Sequence, residues 1–284
     1  MPAYLFFRLA LLLGYLPFGV LYRLSDGLYY VFNYVIRYRR KVVTENLERC
    51  FPDKTPAEIN DLRKAFYRHF GDIVVEGFKG LTASHAELAP RYVVTNAHIV
   101  ADLASQGKSC VVMTAHYNNW EWALPATGHN TSAQIVTIFK PIGNPRINEY
   151  VRVHSANLNN QIVSIKQTAV TFERAKTETI LFLMASDQSP SNTDRAIRAD
   201  FFGWNLPCPH GMEVYSKMYD LPIYFAKISR VKRGYYELDL IPISENSAET
   251  ADGYITQRYM SILEEIIKEN PANWLWSHRR WKRL

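Results

Sequence analysis

The segment TAHYNNWEW, residues 114–122, sets His116 and Glu121 five positions apart among aromatic and amide side chains. It follows SCVVM, an apolar run of the kind that forms a buried strand. A histidine at a strand end, with a carboxylate about one turn into the next helix, suits proton transfer. The carboxylate holds one ring nitrogen and leaves the other free as a base. The motif contains no Ser or Cys, so a nucleophile would have to come from a substrate hydroxyl. Two other readings stay open. His116, Glu121 and His129 offer metal ligands, although no third ligand has a convincing spacing. His116 can also be an ordinary satisfied histidine.

A second polar loop repeats the arrangement. ASDQSPSNTDR, residues 185–195, follows the strand-like TILFLMAS, so Asp187 stands after its strand as His116 does after its own. Functional groups in open α/β sheets gather at the carboxyl ends of strands, where two such loops can face one cleft. Asp, Ser, Asn and Pro are also simply good turn formers. Residues 200–211, DFFGWNLPCPHG, are Gly- and Pro-punctuated and aromatic, and read either as the lining of an apolar pocket or as a well-packed loop. The tail NWLWSHRRWKRL interleaves Trp274, Trp276 and Trp281 with Arg279, Arg280, Lys282 and Arg283. That mixture suits a membrane interface or a phosphorylated headgroup, with nucleic acid as the rival.

The elements that must hold these groups follow from periodicity. Thr55 is an N-cap with Pro56 at the first helical position and Glu58 at the capping-box spacing. Ile59, Leu62, Phe66, Phe70 and Ile73 then give one apolar helical face, with Gly80 as the stop. From residue 91 onward, β-rich runs at 91–96, 109–115, 134–139, 179–186, 222–231 and 235–243 alternate with helix-length stretches at 97–107, 119–129, 145–160 and 168–176. This predicts an α/β fold with a central, mostly parallel sheet flanked by helices. The last two runs form an antiparallel pair, and residues 250–269 a final amphipathic helix. The P-loop, G-x-G-x-x-G, G-x-S-x-G and H-E-x-x-H patterns are absent.

The 284 residues are 48% hydrophobic and carry a formal charge of +6, enough apolar mass for a core and a bias toward anionic partners. Cys50, Cys110 and Cys208 are far apart and form no C-x-x-C, which argues against a disulfide framework and for a reducing compartment. Residues 3–36 are apolar and aromatic, broken by Arg8, Pro17, Arg23 and Asp26. The longest uncharged stretch, 9–22, is 14 residues, short of the roughly 20 that span a bilayer. The segment reads as a membrane anchor, monotopic or one tilted span, with a buried helical hairpin of a soluble core as the alternative. The Tyr-rich stretch 29–38 and the cations Arg37, Arg39, Arg40 and Lys41 would lie at the interface. The division is an anchor at 1–41 and a globular domain at 42–284.

Taken in order, YRRKVVTENL (38–47), FYRHFGD (66–72), TAHYNNWEW, FKP…NP (139–145), SDQSP (186–190), FFG (201–203) and WLWSHRRWK (274–282) resemble the late lipid A biosynthesis acyltransferases, within the glycerolipid acyltransferase-like superfamily. The resemblance covers nearly the whole chain, and TAHYNNWEW is an H-x-x-x-x-E version of the superfamily motif. It implies that His116 deprotonates a hydroxyl of the acceptor lipid and that Glu121 orients His116. It also implies an acyl thioester donor on acyl carrier protein or coenzyme A, no cofactor, a phosphorylated glycolipid acceptor, and the cytoplasmic side of a bacterial inner membrane. The matching segments offer Asn119, Lys140, Asp187, Gln188, Arg279 and Arg280 as substrate-binding residues. Family members often carry an arginine in an R-x-x-x-G segment after P…NP. This chain reads INEYVRVHSANLNNQ there, lacks the glycine, and offers Arg152 or Arg146. Other acceptors (an aminolipid or a lysophospholipid) and a catalytically weak lipid-binding protein of the same fold are the alternatives.

Overall fold

A computed structural model describes residues 2–124, 133–155 and 160–282. Seven strands form one sheet: β1 (Tyr92–Val94), β2 (Cys110–Thr114), β3 (Gln134–Phe139), β4 (Asn160–Ser164), β5 (Ile180–Ala185), β8 (Ile223–Lys232) and β9 (Tyr235–Ser244). Their order is β1-β9-β8-β2-β5-β3-β4, and every neighbour pair is parallel except the β8–β9 hairpin. The expected α/β class, the parallel core and the antiparallel final pair are all present. The central strands are buried on both faces, which is why β2 and β5 are continuous apolar runs rather than alternating ones.

Three strands differ from the sequence expectation. β4 begins where the helical stretch 145–160 was expected to end; that helix stops at Ser155. Residues 200–211 are not a simple loop. They fall mostly in a separate two-stranded hairpin, β6 (Ile197–Phe201) and β7 (Trp204–Cys208), with the turn at Phe202 and Gly203. Phe201 and Leu206 face inward at 0% exposure, so one face of the hairpin packs into the core, in keeping with the packed reading, while Asp200, Trp204 and Asn205 stay exposed.

The N-terminal helices are α1 (Pro2–Gly14), α2 (Phe18–Tyr30), α3 (Arg40–Cys50) and α4 (Pro56–Gly80), with one wide turn at Val31–Val35. The capping box that starts α4 is complete. The Thr55 backbone N–H donates to Glu58 Oε2 at 2.8 Å, and the Glu58 N–H donates to Thr55 Oγ1 at 3.4 Å. Pro17 divides α1 from α2, each 13 residues long, or about 20 Å of helix. Among the described residues no helix is long and apolar enough to cross a membrane, which corrects the tilted-span form of the anchor.

α2 is locked to the sheet by polar contacts that its apolar composition conceals. Ser25 donates to Asp72 of α4 at 2.6 Å, and Arg230 and Arg233, at the end of β8 and in the β8–β9 turn, reach the same carboxylate at 2.6 Å each. Gly234 has φ +74°, and the Tyr22 hydroxyl of α2 sits where any Cβ would be, 2.0 Å away. Only glycine allows both the turn and this approach. The opposite faces of α1 and α2 are left open: Leu5, Leu9 and Leu12 on α1, then Val20, Leu24 and Tyr30 on α2, are 39–62% exposed.

Candidate active site

His116 lies two residues past the end of β2, and Asp187 two past the end of β5. The two strands are adjacent and in register, with Thr114 opposite Ala185, so adding two residues to each brings the side chains face to face. Nδ1 of His116 is 2.8 Å from Oδ1 of Asp187. The other carboxylate oxygen accepts from the Trp274 indole N–H at 2.9 Å. Asp187 is 2% exposed, and its carboxyl pKa is lowered. Burial alone would raise it, but the charge and hydrogen bond of His116 and the bond from Trp274 outweigh burial.

The same balance acts on His116. Burial depresses the imidazolium, but the Asp187 charge, its hydrogen bond and, more weakly, the Glu121 charge push harder, so the pKa is raised. With Nδ1–H donating to Asp187, Nε2 carries the lone pair. The side-chain amide of Gln188 is 3.2 Å from that nitrogen and fits as its donor. Trp120 packs edge-on to the imidazole with ring centroids 5.1 Å apart. In its neutral form the imidazole therefore aims its basic nitrogen away from its carboxylate partner.

Glu121 does not make the hydrogen bond that its spacing suggested. Its described hydrogen bond comes from the Trp120 indole, 2.9 Å from Oε1, and it reaches His116 only through charge. The cause is local. Residues 117–122 run through bends and turns instead of a helix, so the i to i+5 arithmetic does not place Glu121 over the ring. Glu121 is solvent-accessible, and desolvation by the protein around its carboxyl raises the pKa despite the Trp120 bond and the His116 charge.

The C-terminal segment builds the other wall, and here the sequence reading needs correction. Trp274, Trp276 and Trp281 are 2%, 0% and 5% exposed, not an interfacial surface. Residues 273–275 pair with the motif itself: Asn118 N–H donates to the Asn273 carbonyl at 2.9 Å, and Leu275 N–H to the His116 carbonyl at 3.0 Å. The indoles of Trp274 and Trp281 then pack on Phe201, with centroids 5.6 and 6.1 Å away. Nothing in the tail's composition shows this partner, because Trp274 pairs with Tyr117, 157 residues earlier and outside any regular strand.

The remaining candidates separate by burial. Asn119 is fully buried and structural, not substrate-facing: Oδ1 caps the Trp122 N–H at 3.0 Å and Nδ2 donates to Glu76 at 2.7 Å. Arg280 is also at 0% exposure, donating to the Pro207 carbonyl at 2.9 Å and to Cys208 Sγ at 3.0 Å, so it is no surface cation; Arg279 is exposed. Lys140, one residue past β3, is exposed and donates to Ser191 of the Asp187 loop at 3.3 Å, which puts it at the rim. Arg152 is exposed and engaged with Glu149 at 2.7 Å, and Arg146 stacks over Tyr4 at 5.7 Å; neither has a described contact with the His116 pocket. His129 and Arg283 lie outside the described residues. Among the described residues no three His, Cys, Asp or Glu side chains gather as a metal site.

Two supports were not read from sequence. Glu76 of α4 accepts from Tyr22 at 2.9 Å, Asn119 at 2.7 Å and Tyr236 at 2.8 Å, and its backbone carbonyl takes the Trp122 indole N–H at 2.9 Å. Burial raises its pKa to about 7. His278 accepts the Ser189 N–H at 3.1 Å, and desolvation holds its pKa down to about 4, so it stays neutral beside the pair.

A carboxylate-held imidazole at the carboxyl edge of a parallel sheet, with no serine or cysteine hydroxyl or thiol among its described hydrogen-bond partners, is the layout of a base that activates a substrate's own hydroxyl. Residues 2–283 match the family of bacterial lipid A biosynthesis acyltransferases. The chain belongs to that family. No curated protein matches it.

Proposed function

We propose that the protein transfers a fatty acyl chain from an acyl thioester, on acyl carrier protein or coenzyme A, to a hydroxyl of a lipid A precursor. The observation that carries this reading is the His116–Asp187 pair at 2.8 Å, which leaves Nε2 beside the Gln188 amide and not on the carboxylate. The acceptor hydroxyl replaces the Gln188 amide at Nε2 and gives up its proton there as its oxygen attacks the thioester carbonyl. Asp187 stabilises the imidazolium that forms. The Gln188 amide, already beside Nε2, is the nearest described donor for the developing oxyanion. Collapse breaks the carbon–sulfur bond, and the imidazolium returns the proton to the departing thiolate. Glu121 adds negative charge to the pocket without holding the ring.

The reaction takes place at the cytoplasmic face of the inner membrane. The open faces of α1 and α2 carry Leu5, Leu9, Leu12, Val20 and Leu24, an apolar surface that a monotopic protein sinks into the headgroup boundary. The test is acyl transfer from acyl carrier protein or coenzyme A to a lipid A precursor by the purified chain, beside the acyl count of lipid A in a deletion strain. Transfer by the wild type and none by His116→Ala is the expected result. An unchanged acyl count removes lipid A as the acceptor.

A further inference from the structure

An open groove of about 580 Å³ runs along α3 and the residues just before it, facing the C-terminal segment, and its lining cations are Arg37, Arg39, Arg40, Lys41, Arg49, Arg279 and Lys282. Glu45 is the one acid in its lining, and it sits 3.8 Å from Lys41. Among the described residues Arg37, Arg40, Arg49 and Arg279 have no carboxylate within ion-pair distance. Like charges held this close repel one another and focus a positive potential into the groove.

The backbone adds to that charge. α3 has no acidic residue in its first turn and no side-chain cap; the Arg40 N–H is taken by the Arg37 carbonyl at 3.1 Å, and the positive end of the helix dipole lies beside Arg37, Arg39 and Arg40. Helices usually place acids at this end; here the cations aggravate the dipole, an arrangement that an anion relieves. Arg37 and Arg39 both hold φ 48°, a left-handed conformation that costs free energy for a residue with a Cβ. The fold maintains it by tying Arg39 to the Ser277 carbonyl at 3.0 Å. The groove is thus built and held open on both sides, not a chance meeting of surface side chains.

Its other wall is shared with the active site. Asn46, which lines the groove, donates to the carbonyls of Trp276 and His278 at 2.8 Å each, and the same segment carries Trp274 to Asp187. Just ahead of Arg37 in the chain, Val35 and Ile36 are exposed, 73% and 56% accessible. A ligand with an anionic head and apolar chains matches both surfaces at once. Nucleic acid matches less well, since the indole in the lining, Trp281, is buried and offers no stacking face.

We propose that this groove is a phosphate-binding subsite that seats the phosphorylated end of a lipid. Guanidinium groups in a fork geometry suit phosphate oxygens better than isolated ammonium groups do, and five of the seven lining cations are arginines. The inference rests on the acyl-transfer reading only for which lipid supplies the phosphate: a bulk anionic phospholipid or the acceptor itself.

The test uses the full chain and the double variant Arg40→Ala/Arg49→Ala, with Lys108→Ala, an exposed cation elsewhere, as the control. In lipid-free solution, inorganic pyrophosphate should raise the melting temperature of the wild type and of the control but not of the double variant. In co-sedimentation, phosphatidic acid added to phosphatidylcholine vesicles should tighten binding, and the double variant should lose roughly tenfold or more of that gain. If the phosphate belongs to the acceptor, the double variant raises KM for the phosphorylated acceptor in detergent micelles and leaves kcat and the dephosphorylated acceptor unchanged. If it belongs to bulk lipid, KM in micelles stays put while vesicle binding falls. A double variant that matches the control in both the pyrophosphate and the vesicle arms overturns the proposal, as does a loss confined to acyl carrier protein binding. His116→Ala should bind vesicles and pyrophosphate as the wild type does, so a failed acyl-transfer reading leaves the groove testable.

Discussion

His116 Nδ1 and Asp187 Oδ1 stand 2.8 Å apart although 71 residues separate them in the chain. The distance follows from the β2–β5 register, and it assigns the orienting carboxylate to a different loop from the one carrying the histidine. The consequences can be measured.

His116→Ala should lower kcat/KM by roughly 10²–10⁴, the usual worth of a positioned base, without loss of fold. Asp187→Asn should also lower it, and acts in a second way. The Asp187 charge and hydrogen bond raise the His116 pKa against burial, so wild-type activity should rise with pH through a limb above 6.5 as the imidazolium loses its proton. Without that charge the limb moves to lower pH.

Glu121→Gln separates the two carboxylates. Because Glu121 acts on His116 through charge alone, the limb should move less than in Asp187→Asn. A larger shift in Glu121→Gln would return the orienting role to Glu121. The pH profile of kcat/KM is the readout, since total activity also reports on other contacts of Glu121.

Trp274→Phe keeps an aromatic ring but removes the indole N–H from Asp187 Oδ2 together with part of a buried side chain. That oxygen belongs to a side chain 2% exposed, so the loss should cost about 1–3 kcal/mol in urea denaturation. Activity should fall with it, and restoring tryptophan should recover both.

Glu76 provides a stability signature. Its carboxyl is protonated in folded and unfolded chains alike below about 4.5, and charged in both above about 7. Between these values the folded state holds the proton more tightly, so stability falls as pH rises, by about 3 kcal/mol in all. Glu76→Gln cannot ionise and should flatten that part of the stability curve, followed by chemical denaturation from pH 4.5 to 8.

Leu9→Glu combined with Leu12→Glu should leave the melting temperature nearly unchanged, since these side chains are 57% and 60% exposed. Binding to phospholipid vesicles should drop sharply by co-sedimentation. Undiminished binding would move the membrane contact to another surface.

The sequence by itself determined the alternation of buried strands and helices, because β-branched and apolar runs such as CVVMT and ILFLMA fit only strands covered on both faces. It also determined the capping box at Thr55 and Glu58, which is a contact between near neighbours. β4 escaped notice because it is a short edge strand, NQIVS, where water satisfies what a partner does not. β7 escaped because Pro207 reads as a break. His116 and Asp187 were each visible as strand-end residues, but their partnership is a matter of register between strands, and register is decided by tertiary packing. The three tryptophans show the same limit from the other side. Composition says only that they are amphipathic; whether they meet lipid or a protein core depends on the Phe201 hairpin and the His116 loop, which only the folded chain brings against them.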